Sequence, residues 1–487
     1  MQYRNPVIKG FYPDPSVCAA NGKYYLAASS FQYFPGVPLF ESDDLVNWKQ
    51  FGFALTRPEQ VMLDRIASSG GVFAPTLRFH EGRFYLVTTN DTTHENFYVR
   101  TDDIYGEWSD PITVAQGGID PSLLFDGGHV YFISNGEDDN GVGGVVQCEI
   151  DIETGKKLSP SRCIWKGSGG RFLESPHMYR IGDRYYLMAA EGGTEYGHMI
   201  TLARSDSPWG PFENCPHNPV LTNRNKAPYI IQGIGHGDLI QDKNVEWHIL
   251  CLGFRQLHLW MPFHHLRREV FMVPVRFGED GWFTAGNDGT CDETYELVGD
   301  FAQTEKKRFT FGNTAWDTDW QYLRKPVPEN YIFGDEKLTL KGTDITLDDT
   351  DSPTFICTHQ RDFIFDMSVE VSVDRGEAGV TMYHDENEHY DIALRRTDSG
   401  YEAVLRLNIG GIKHEQNTIR VSGDTVKLSV KADNFGYTFS ADGTTLGGAQ
   451  TKYLSSEVCG GFTGTVIGLY AVGNNTADFN DFVVTII

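Results

Sequence analysis

The sequence predicts an all-β protein in which a five-bladed β-propeller is followed by a β-sandwich of jelly-roll type. Two observations predict this architecture. A short polar signature followed by a strand-like run occurs five times within the first 260 residues. Beyond residue 310, apolar and polar residues alternate cleanly, as in Met367–Val373 and Val426–Val430. Such alternation is typical of half-buried antiparallel strands.

The five strand-like runs recur every 46 to 62 residues when they are aligned at positions 24, 84, 130, 185 and 247. Repeats of this length that are built from short strands are typical of β-propellers, in which each repeat forms one blade. The runs are Gly22–Ala27, Gly82–Val87, Gly128–Ile133, Gly182–Met188 and Val245–Leu250.

The chain has 487 residues, which is more than one hydrophobic core usually supports, so two domains are expected. We assign residues 1–300 to the propeller and residues 311–487 to the sandwich. The polar segment Asp300–Phe309 is predicted to be the linker between them.

Composition narrows the range of partners and compartments. The net charge of −25 excludes nucleic acid and anionic lipid as natural partners and suits a neutral substrate. Aromatic residues make up 13% of the chain, which fits contacts with flat rings such as sugars. No apolar stretch approaches a membrane span, and no secretory signal opens the sequence, so we expect a cytoplasmic protein with eight reduced cysteines.

The signatures that precede the strand-like runs carry the chemically interesting side chains. Because a propeller places equivalent positions of its blades around one axis, Asp14, Asp120, Glu174 and His236 are expected to meet at the central pocket. The signatures are Pro13-Asp-Pro-Ser16, Phe73-Ala-Pro75, Asp120-Pro-Ser122, Glu174-Ser-Pro-His177 and Gly235-His-Gly-Asp238.

Three carboxylates at one pocket favour glycoside hydrolysis. That reaction needs an acid that protonates the leaving oxygen and a second carboxylate on the opposite side of the bond. A third carboxylate near the acid favours its protonated form, because like charges resist joint ionisation. A single Asp before Pro is usually a turn residue, but Asp14 and Asp120 share an Asp-Pro-Ser motif and Glu174 follows the same repeat.

Four segments give the chain a family resemblance: Asn5–Ser16, Ser30–Pro38, Ala190–His198 and Phe263–Val270. They resemble glycoside hydrolase family 43, in the branch of β-xylosidases and α-L-arabinofuranosidases that carry a C-terminal sandwich. The resemblance implies an exo-acting, inverting enzyme that releases terminal β-D-xylose, α-L-arabinofuranose or both from xylo-oligosaccharides or arabinoxylan fragments. The sequence does not distinguish the two sugars, and it leaves open whether the chain forms a homo-oligomer.

The resemblance also implies a role for each matching residue. Asp14 matches the general base, Glu174 the general acid, and Asp120 the carboxylate that orients the acid. The residues expected to line the sugar pocket are Phe31, Phe73, Thr194, Arg268 and His236.

Three positions depart from the family pattern. Phe73 stands where the family usually has Trp, so it offers the sugar a smaller apolar face. Ser175 and Arg267 stand where the family usually has Gly. Of the two neighbouring arginines we expect Arg268 to face the pocket, because it precedes the matching Glu269.

His236 matches a histidine that, in many relatives, contacts a calcium ion or water in the propeller channel. The expectation is therefore a structural calcium ion near His236. Neutral imidazole is a poor calcium ligand, since calcium prefers oxygen, and hydrogen bonding to water and to the carboxylates is the alternative role.

The segment Gly460-Gly-Phe-Thr-Gly464 resembles a loop of the second domain that reaches over the propeller mouth. Phe462 would then close the pocket and permit attack only at chain ends. The alternative is that Phe462 packs in the sandwich core.

Two other functions compete with an inverting glycosidase. A retaining fructosidase-type hydrolase shares the two-domain architecture, but its Asn-Asp-Pro-Asn and Arg-Asp-Pro motifs are absent from this sequence. A non-catalytic carbohydrate-binding protein could keep the aromatic residues, but it would not need three carboxylates in one pocket.

Overall fold

The computed structural model describes residues 1–299, 301–311 and 318–487. Its first domain contains five four-stranded antiparallel sheets, which are the five predicted blades. Its second domain contains two eight-stranded sheets. No helix of the described residues is long and apolar enough to cross a membrane, and all eight cysteines are free thiols.

The blades follow one another along the chain, and each begins at the propeller axis and runs outward. Their strands are β2 (Ser16–Ala20), β3 (Lys23–Ala27), β5 (Gly36–Ser42) and β6 (Lys49–Leu55) in the first; β7 (Thr76–His80), β8 (Arg83–Asn90), β9 (Glu95–Thr101) and β10 (Ile112–Val114) in the second; β11 (Ile119–Asp126), β12 (His129–Glu137), β13 (Gly143–Glu149) and β14 (Arg162–Trp165) in the third; β15 (Glu174–Ile181), β16 (Arg184–Glu191), β17 (Met199–Ser205) and β18 (Glu213–Asn214) in the fourth; and β19 (Ile231–Gln241), β20 (Trp247–Arg255), β21 (Glu269–Phe277) and β22 (Phe283–Ala285) in the fifth. Strand β1 (Gln2–Arg4) precedes the blades, and β4 (Tyr33–Phe34), between β3 and β5, lies outside the first blade.

The five blades close into a ring. The innermost strands β2, β7, β11, β15 and β19 lie side by side around the axis. Both faces of each blade are apolar, and five separate hydrophobic clusters fill the five spaces between successive blades. The N-terminal segment completes the ring, because β1 pairs with β23 (Thr294–Glu296), which follows the last blade.

The second domain buries one large core between its two sheets. Its strands are β24 (Arg308–Thr310), β25 (Gln321–Leu323), β26 (Tyr331–Gly334), β27 (Lys337–Lys341), β28 (Thr354–His359), β29 (Phe365–Val373), β30 (Glu377–Asp385), β31 (Glu388–Thr397), β32 (Gly400–Ile409), β33 (Ile412–Val421), β34 (Thr425–Ala432), β35 (Gly436–Ala441), β36 (Thr444–Gln450), β37 (Val466–Val472) and β38 (Thr476–Ile486). A four-residue helix, α1 (Ser456–Cys459), and three 3-10 turns, Pro58–Gln60, Pro328–Asn330 and Thr451–Leu454, complete the elements.

The predicted linker Asp300–Phe309 needs a correction at its C-terminal end. Arg308 and Phe309 belong to β24, which pairs with β38, and Phe309 is buried in the sandwich core. Phe309 is buried although the residues around it in the sequence are charged, so the composition of the segment does not indicate a strand there. Asp300, which is also the predicted end of the propeller domain, lies outside the described residues.

The two domains share a sheet. The short propeller strand β4 pairs with β25 and becomes the edge of one sandwich sheet. A hydrophobic cluster with members from both domains lies behind this joint and includes Phe31 and Phe355. Arg324 is fully buried there and donates hydrogen bonds to the carbonyl oxygens of Ile66 and Asp351. This joint holds the second domain against the propeller mouth.

Candidate active site

The inner strands bend where their side chains reach the mouth of the channel. Asp14, Asp120, Ser175 and His236 all have positive φ angles, between 41° and 57°. Strands β11, β15 and β19 also carry register shifts at these residues. Non-glycine residues with positive φ are strained, and such strain and β-bulges concentrate next to active sites. The bend turns one polar side chain of each of these blades into the mouth.

The structure corrects one detail of the repeat. Ser16, Ser122 and His177 each pair with the fifth residue of the second strand of their blade. Counting two residues back, the equivalent of Asp14 and Asp120 in the fourth blade is Ser175, and Glu174 comes one residue earlier. The expectation that Glu174 shares the register of the two aspartates is therefore wrong. Successive side chains of a strand point in different directions, so Glu174 approaches the mouth from another side.

Asp14 is 4% exposed and is held by two donors. Ser29 Oγ donates to Oδ2 at 2.5 Å, and Arg268 Nη1 donates to Oδ1 at 2.8 Å. Burial alone would raise the pKa of this carboxyl, but Arg268 and His236 outweigh burial and hold the pKa below its usual value. Asp14 is therefore ionised at neutral pH and can accept a proton.

Asp120 has the opposite electrostatic surroundings. Burial, followed by the nearby charges of Glu174 and Asp14, holds the pKa of the Asp120 carboxyl well above its usual value. Its one hydrogen bond among the described residues comes from the backbone N–H of Ser175, at 2.9 Å from Oδ2. Interacting carboxyls of this kind titrate as a group, so the mouth of the channel retains a proton to higher pH than separate carboxylates would.

Glu174 is the most accessible of the three carboxyls, with 20% of its side chain exposed. Two residues that the sequence analysis did not single out support it. His198 is completely buried, and its Nε2 lies 3.2 Å from Oε1 of Glu174. Glu191 is also completely buried and accepts hydrogen bonds from the backbone N–H groups of Ser168 and Gly170, which shape the loop leading to Glu174.

The arginine expected to face the pocket does so. Arg268 contacts Asp14 and also donates to Thr194 Oγ1 at 3.2 Å. Arg267 turns the other way and donates to the carbonyl oxygen of Gly460 in the second domain. Arg267 and Ser175 both have positive φ, a region that suits glycine, which gives a physical reason for glycine at these positions in relatives.

Three phenylalanines form the apolar side of the mouth. Phe31 stacks on Phe462 with ring centroids 6.0 Å apart, and Phe73 contacts both rings. Phe462 is 39% exposed, so it does not pack in the sandwich core. Its backbone N–H donates to Ser69 Oγ at 2.7 Å. The loop 460–464 is thus tied to the propeller and covers one side of the mouth.

A second layer of polar side chains lies directly below the mouth. We call Asp14, Asp120, Glu174 and His236 the upper layer. The residues two positions after Asp14, Asp120, Ser175 and His236 point the same way as those four, because side chains of a strand alternate. They form a lower layer with Arg78 of β7 and Tyr179 of β15. The lower layer consists of Ser16, Arg78, Ser122, His177, Tyr179 and Asp238.

The lower layer is fully paired around one buried carboxylate. Arg78 donates to both oxygens of Asp238, at 2.7 and 3.1 Å. Ser16 and Tyr179 donate to the same carboxylate. Burial opposes ionisation, but Arg78 and then His177 hold the pKa of Asp238 far below its usual value. Burial lowers the pKa of His177 to about 3, so its neutral ring accepts from Arg78 at 2.8 Å.

The side chains around His236 are not arranged as the ligands of a calcium ion. His236 Nδ1 lies 3.5 Å from Asp14 Oδ1 and 3.9 Å from Asp120 Oδ2. Calcium takes about six to eight oxygen ligands. In the described part of the chain, no group of three or more His, Cys, Asp and Glu side chains is arranged to hold a metal. Asp238 in the layer below is already neutralised by Arg78.

Comparison with known sequences identifies the family. The family model described as "Glycosyl hydrolases family 43" matches residues 3–283, and that described as "Beta xylosidase C-terminal Concanavalin A-like domain" matches residues 308–485. The chain belongs to glycoside hydrolase family 43. It is a glycosidase, and its upper layer is the candidate catalytic site of a family 43 enzyme.

Curated relatives match over nearly the whole chain. A protein of Bacteroides ovatus named as a non-reducing end alpha-L-arabinofuranosidase is 39% identical over 98% of this chain and 93% of its own. A xylosidase/arabinosidase of Butyrivibrio fibrisolvens is 33% identical over 99% of this chain and 98% of its own.

Solved structures have the same two-domain architecture. The Bacteroides ovatus xyloglucan PUL GH43B structure matches with a TM-score of 0.93 at 38% identity, with both chains covered completely. The xylan beta-1,4-xylosidase of Bacillus halodurans matches with a TM-score of 0.92 at 28% identity, over 99% of this chain and all of that one. The arrangement of propeller and sandwich is therefore that of the family.

Proposed function

We propose that this family 43 enzyme is an exo-acting, inverting glycosidase that releases a terminal pentose, β-D-xylose, α-L-arabinofuranose or both, from xylo-oligosaccharides or arabinoxylan fragments. One observation carries the proposal. Three carboxyls meet in the upper layer, and among the residues that the structure describes only Asp14 of the three pairs with an arginine. The site therefore offers an ionised base together with carboxyls that retain a proton, as hydrolysis requires.

Asp14 acts as the general base. Its negative charge is stabilised by Arg268 and Ser29, and it accepts a proton from a water molecule as that water attacks the anomeric carbon. Glu174 acts as the general acid and gives its proton to the glycosidic oxygen while the carbon–oxygen bond breaks. Water is consumed, and the sugar is released with inverted configuration. Asp120 orients the acid through the backbone of Ser175. Because its carboxyl interacts with that of Glu174, the two together retain a proton to higher pH than separate carboxyls would.

Exo action is supported by the loop that covers one side of the mouth. Phe462 and Phe31 stack on each other, and the guanidinium of Arg268 lies 5.5 Å from the ring centre of Phe31 and 5.7 Å from that of Phe462. Because these groups close one side of the mouth, a chain would enter by its end. The relatives named as arabinofuranosidase and xylosidase support a pentose as that terminal ring.

The proposal is tested with a panel of nitrophenyl glycosides followed by product analysis on xylo-oligosaccharides and arabinoxylan. We expect turnover of the β-D-xyloside, the α-L-arabinofuranoside or both, with single pentoses as products. Release of larger fragments would contradict exo action, and hexosides as the only substrates would contradict the pentose. Absence of turnover on every substrate would favour a binding protein.

The assignment of the acid has its own test. Glu174→Ala should lose about 10²–10⁴-fold on xylobiose, whose leaving group needs a proton, and much less on a dinitrophenyl xyloside, whose leaving group departs unaided. The matched control is Glu191→Gln, since Glu191 supports the same loop without reaching the mouth. Equal losses on both substrates for Glu174→Ala would remove Glu174 from the role of acid.

A further inference from the structure

His198 is a buried imidazole whose orientation is fixed on two sides. Its Nδ1 lies 3.2 Å from the carbonyl oxygen of Gly233. A Cβ atom at Gly235 would lie 2.3 Å from the same Nδ1, so only glycine lets the ring lie against strand β19. Thr222 Oγ1 donates to the backbone carbonyl of His198 at 2.7 Å and fixes the segment itself. The ring has no room to turn over.

This orientation decides which ring nitrogen carries the hydrogen. A carbonyl oxygen can only accept, so Nδ1 of the neutral ring must be the donor, and Nε2 is left with a lone pair. Nε2 is buried and has no well-directed hydrogen bond among the described residues, and Oε1 of Glu174 lies 3.2 Å from it. Catalytic hydrogen bonds are often poorly aligned before substrate binds.

Two acceptors cannot face each other favourably in a buried site. If Glu174 were ionised and His198 neutral, lone pairs would oppose each other at 3.2 Å. One proton between the two atoms removes the conflict. The neighbouring carboxyl has a different partner, because Asp120 accepts the backbone N–H of Ser175.

The carboxyls of the upper layer compete for a proton, and they differ in their partners. Glu174 faces the acceptor Nε2 of His198, whereas Asp120 faces the donor N–H of Ser175. We propose that His198 is a positioning residue that holds a proton of the upper layer on Glu174, where the leaving group needs it. The other titratable groups that surround the pair are Asp14 and Asp120, from the ends of β2 and β11, His236 from β19, and Arg268 from the loop before β21. Arg268 donates to Asp14, and His198 Nε2 lies 3.2 Å from Oε1 of Glu174.

The test compares two variants that disturb the same segment in different ways. His198→Asn can keep the donor to Gly233 but removes the acceptor that faces Glu174. Thr222→Val removes the hydrogen bond to the His198 backbone and leaves the imidazole in place. Each is assayed on xylobiose and on a dinitrophenyl xyloside, and the pH dependence of kcat/KM is recorded. Both readouts are ratios within one preparation, so a partly unfolded sample does not change them.

For His198→Asn we expect a loss of about tenfold on xylobiose, part of the 10²–10⁴-fold that a general acid supplies, with little loss on the dinitrophenyl substrate. The basic limb of the pH profile should move to lower pH, because Glu174 releases its proton more readily without an acceptor. Thr222→Val should match the wild type in both readouts. His198→Gln, which fills more of the space, should move both readouts in the same direction by less.

An unmoved basic limb together with equal losses on both substrates would overturn the role of His198, and so would a limb that moves to higher pH. His198 can hold this proton for catalysis only if Glu174 is the acid, as proposed above. Glu174→Ala is therefore measured beside it. If Glu174→Ala discriminates between the leaving groups and His198→Asn does not, the role of His198 fails alone. If neither discriminates, the proposed acid fails first.

Discussion

The upper and lower layers of the propeller channel lie on the same strands, yet Asp120 in the upper layer and Asp238 in the lower layer have opposite electrostatic surroundings. Asp238 in the lower layer receives Arg78, Ser16 and Tyr179, and the pKa of its carboxyl falls far below the usual value because Arg78 outweighs burial. Asp120 in the upper layer receives one backbone N–H, and burial with two neighbouring carboxylates raises its pKa. The difference shows that the partners of a buried carboxylate, and not its burial, decide whether it is ionised or retains a proton.

The largest effect should come from the base of the upper layer. Asp14→Ala leaves no group to activate water, so kcat should fall by about 10²–10⁴-fold or more on every glycoside. The melting temperature should also fall, because the buried Arg268 loses its counter-charge, so activity is compared on the folded fraction. The matched control is Asp238→Asn, whose folded fraction should retain far more activity. Retention of a tenth of the wild-type rate by Asp14→Ala would remove it from the role of base.

The largest effect on stability should come from the lower layer. Asp238→Asn leaves the guanidinium of Arg78 buried without its counter-charge, which should cost about 3–5 kcal/mol of unfolding free energy. Denaturant unfolding measures this cost. The double variant Arg78→Met with Asp238→Asn should recover much of it, since removing both charges is less costly than removing one. A double variant that adds the two single costs would show that the pair is not coupled.

A smaller effect is expected where the second domain meets the upper layer. Phe462→Ala should raise KM for xylobiose by an amount equivalent to about 1–3 kcal/mol of lost aromatic contact, and KM for a small aryl xyloside should change less. Stability should be nearly unchanged because the ring is 39% exposed. A loss of about 3–5 kcal/mol of stability, which is typical of a core aromatic residue, with KM unchanged would contradict this role.

The smallest effect is one of pH. The pKa of Asp120 is raised in the folded state, so the wild type loses stability as pH rises from the unfolded value of about 4 towards the folded value. Asp120→Asn lacks this loss and should raise the melting temperature at pH 8 more than at pH 4. Asp238 has a lowered pKa, so the wild type loses stability only as pH falls below about 4. The penalty of Asp238→Asn should therefore shrink at acid pH and stay constant between about pH 4 and pH 8. If the effects of both variants on the melting temperature changed with pH in the same way, the result would contradict the electrostatic difference between Asp120 and Asp238.

The sequence predicted Asp14 and Asp120 because a repeat places equivalent residues around an axis. It placed Glu174 one residue out of register, because the carboxylate of the fourth blade stands one position earlier than in the first and third blades and was aligned by residue type. The proline of Glu174-Ser-Pro-His177 was the available clue, since aligning it with the proline of Asp120-Pro-Ser122 puts Ser175 in the aspartate position.

The pairing of the lower layer could not be predicted at all. Arg78 and Asp238 are 160 residues apart in sequence, and each is a single charge within an apolar run. The acceptor role of His198 depends on a backbone carbonyl and on a glycine that admits the ring. Contacts of these kinds depend on how the blades pack and not on residue type.

The anomeric configuration of the first product tests the central claim most directly. Asp14 and Glu174 as base and acid of an inverting site require a water molecule between sugar and base, and hence carboxyls about 6.5–9.5 Å apart. Proton NMR during the first minutes of hydrolysis of an aryl β-D-xyloside should then show α-D-xylose appearing first, with the β anomer following by mutarotation. On an α-L-arabinofuranoside, β-L-arabinose should appear first. Initial release of the substrate's own configuration would mean a retaining site, with one upper-layer carboxylate as nucleophile, and would contradict the assignment.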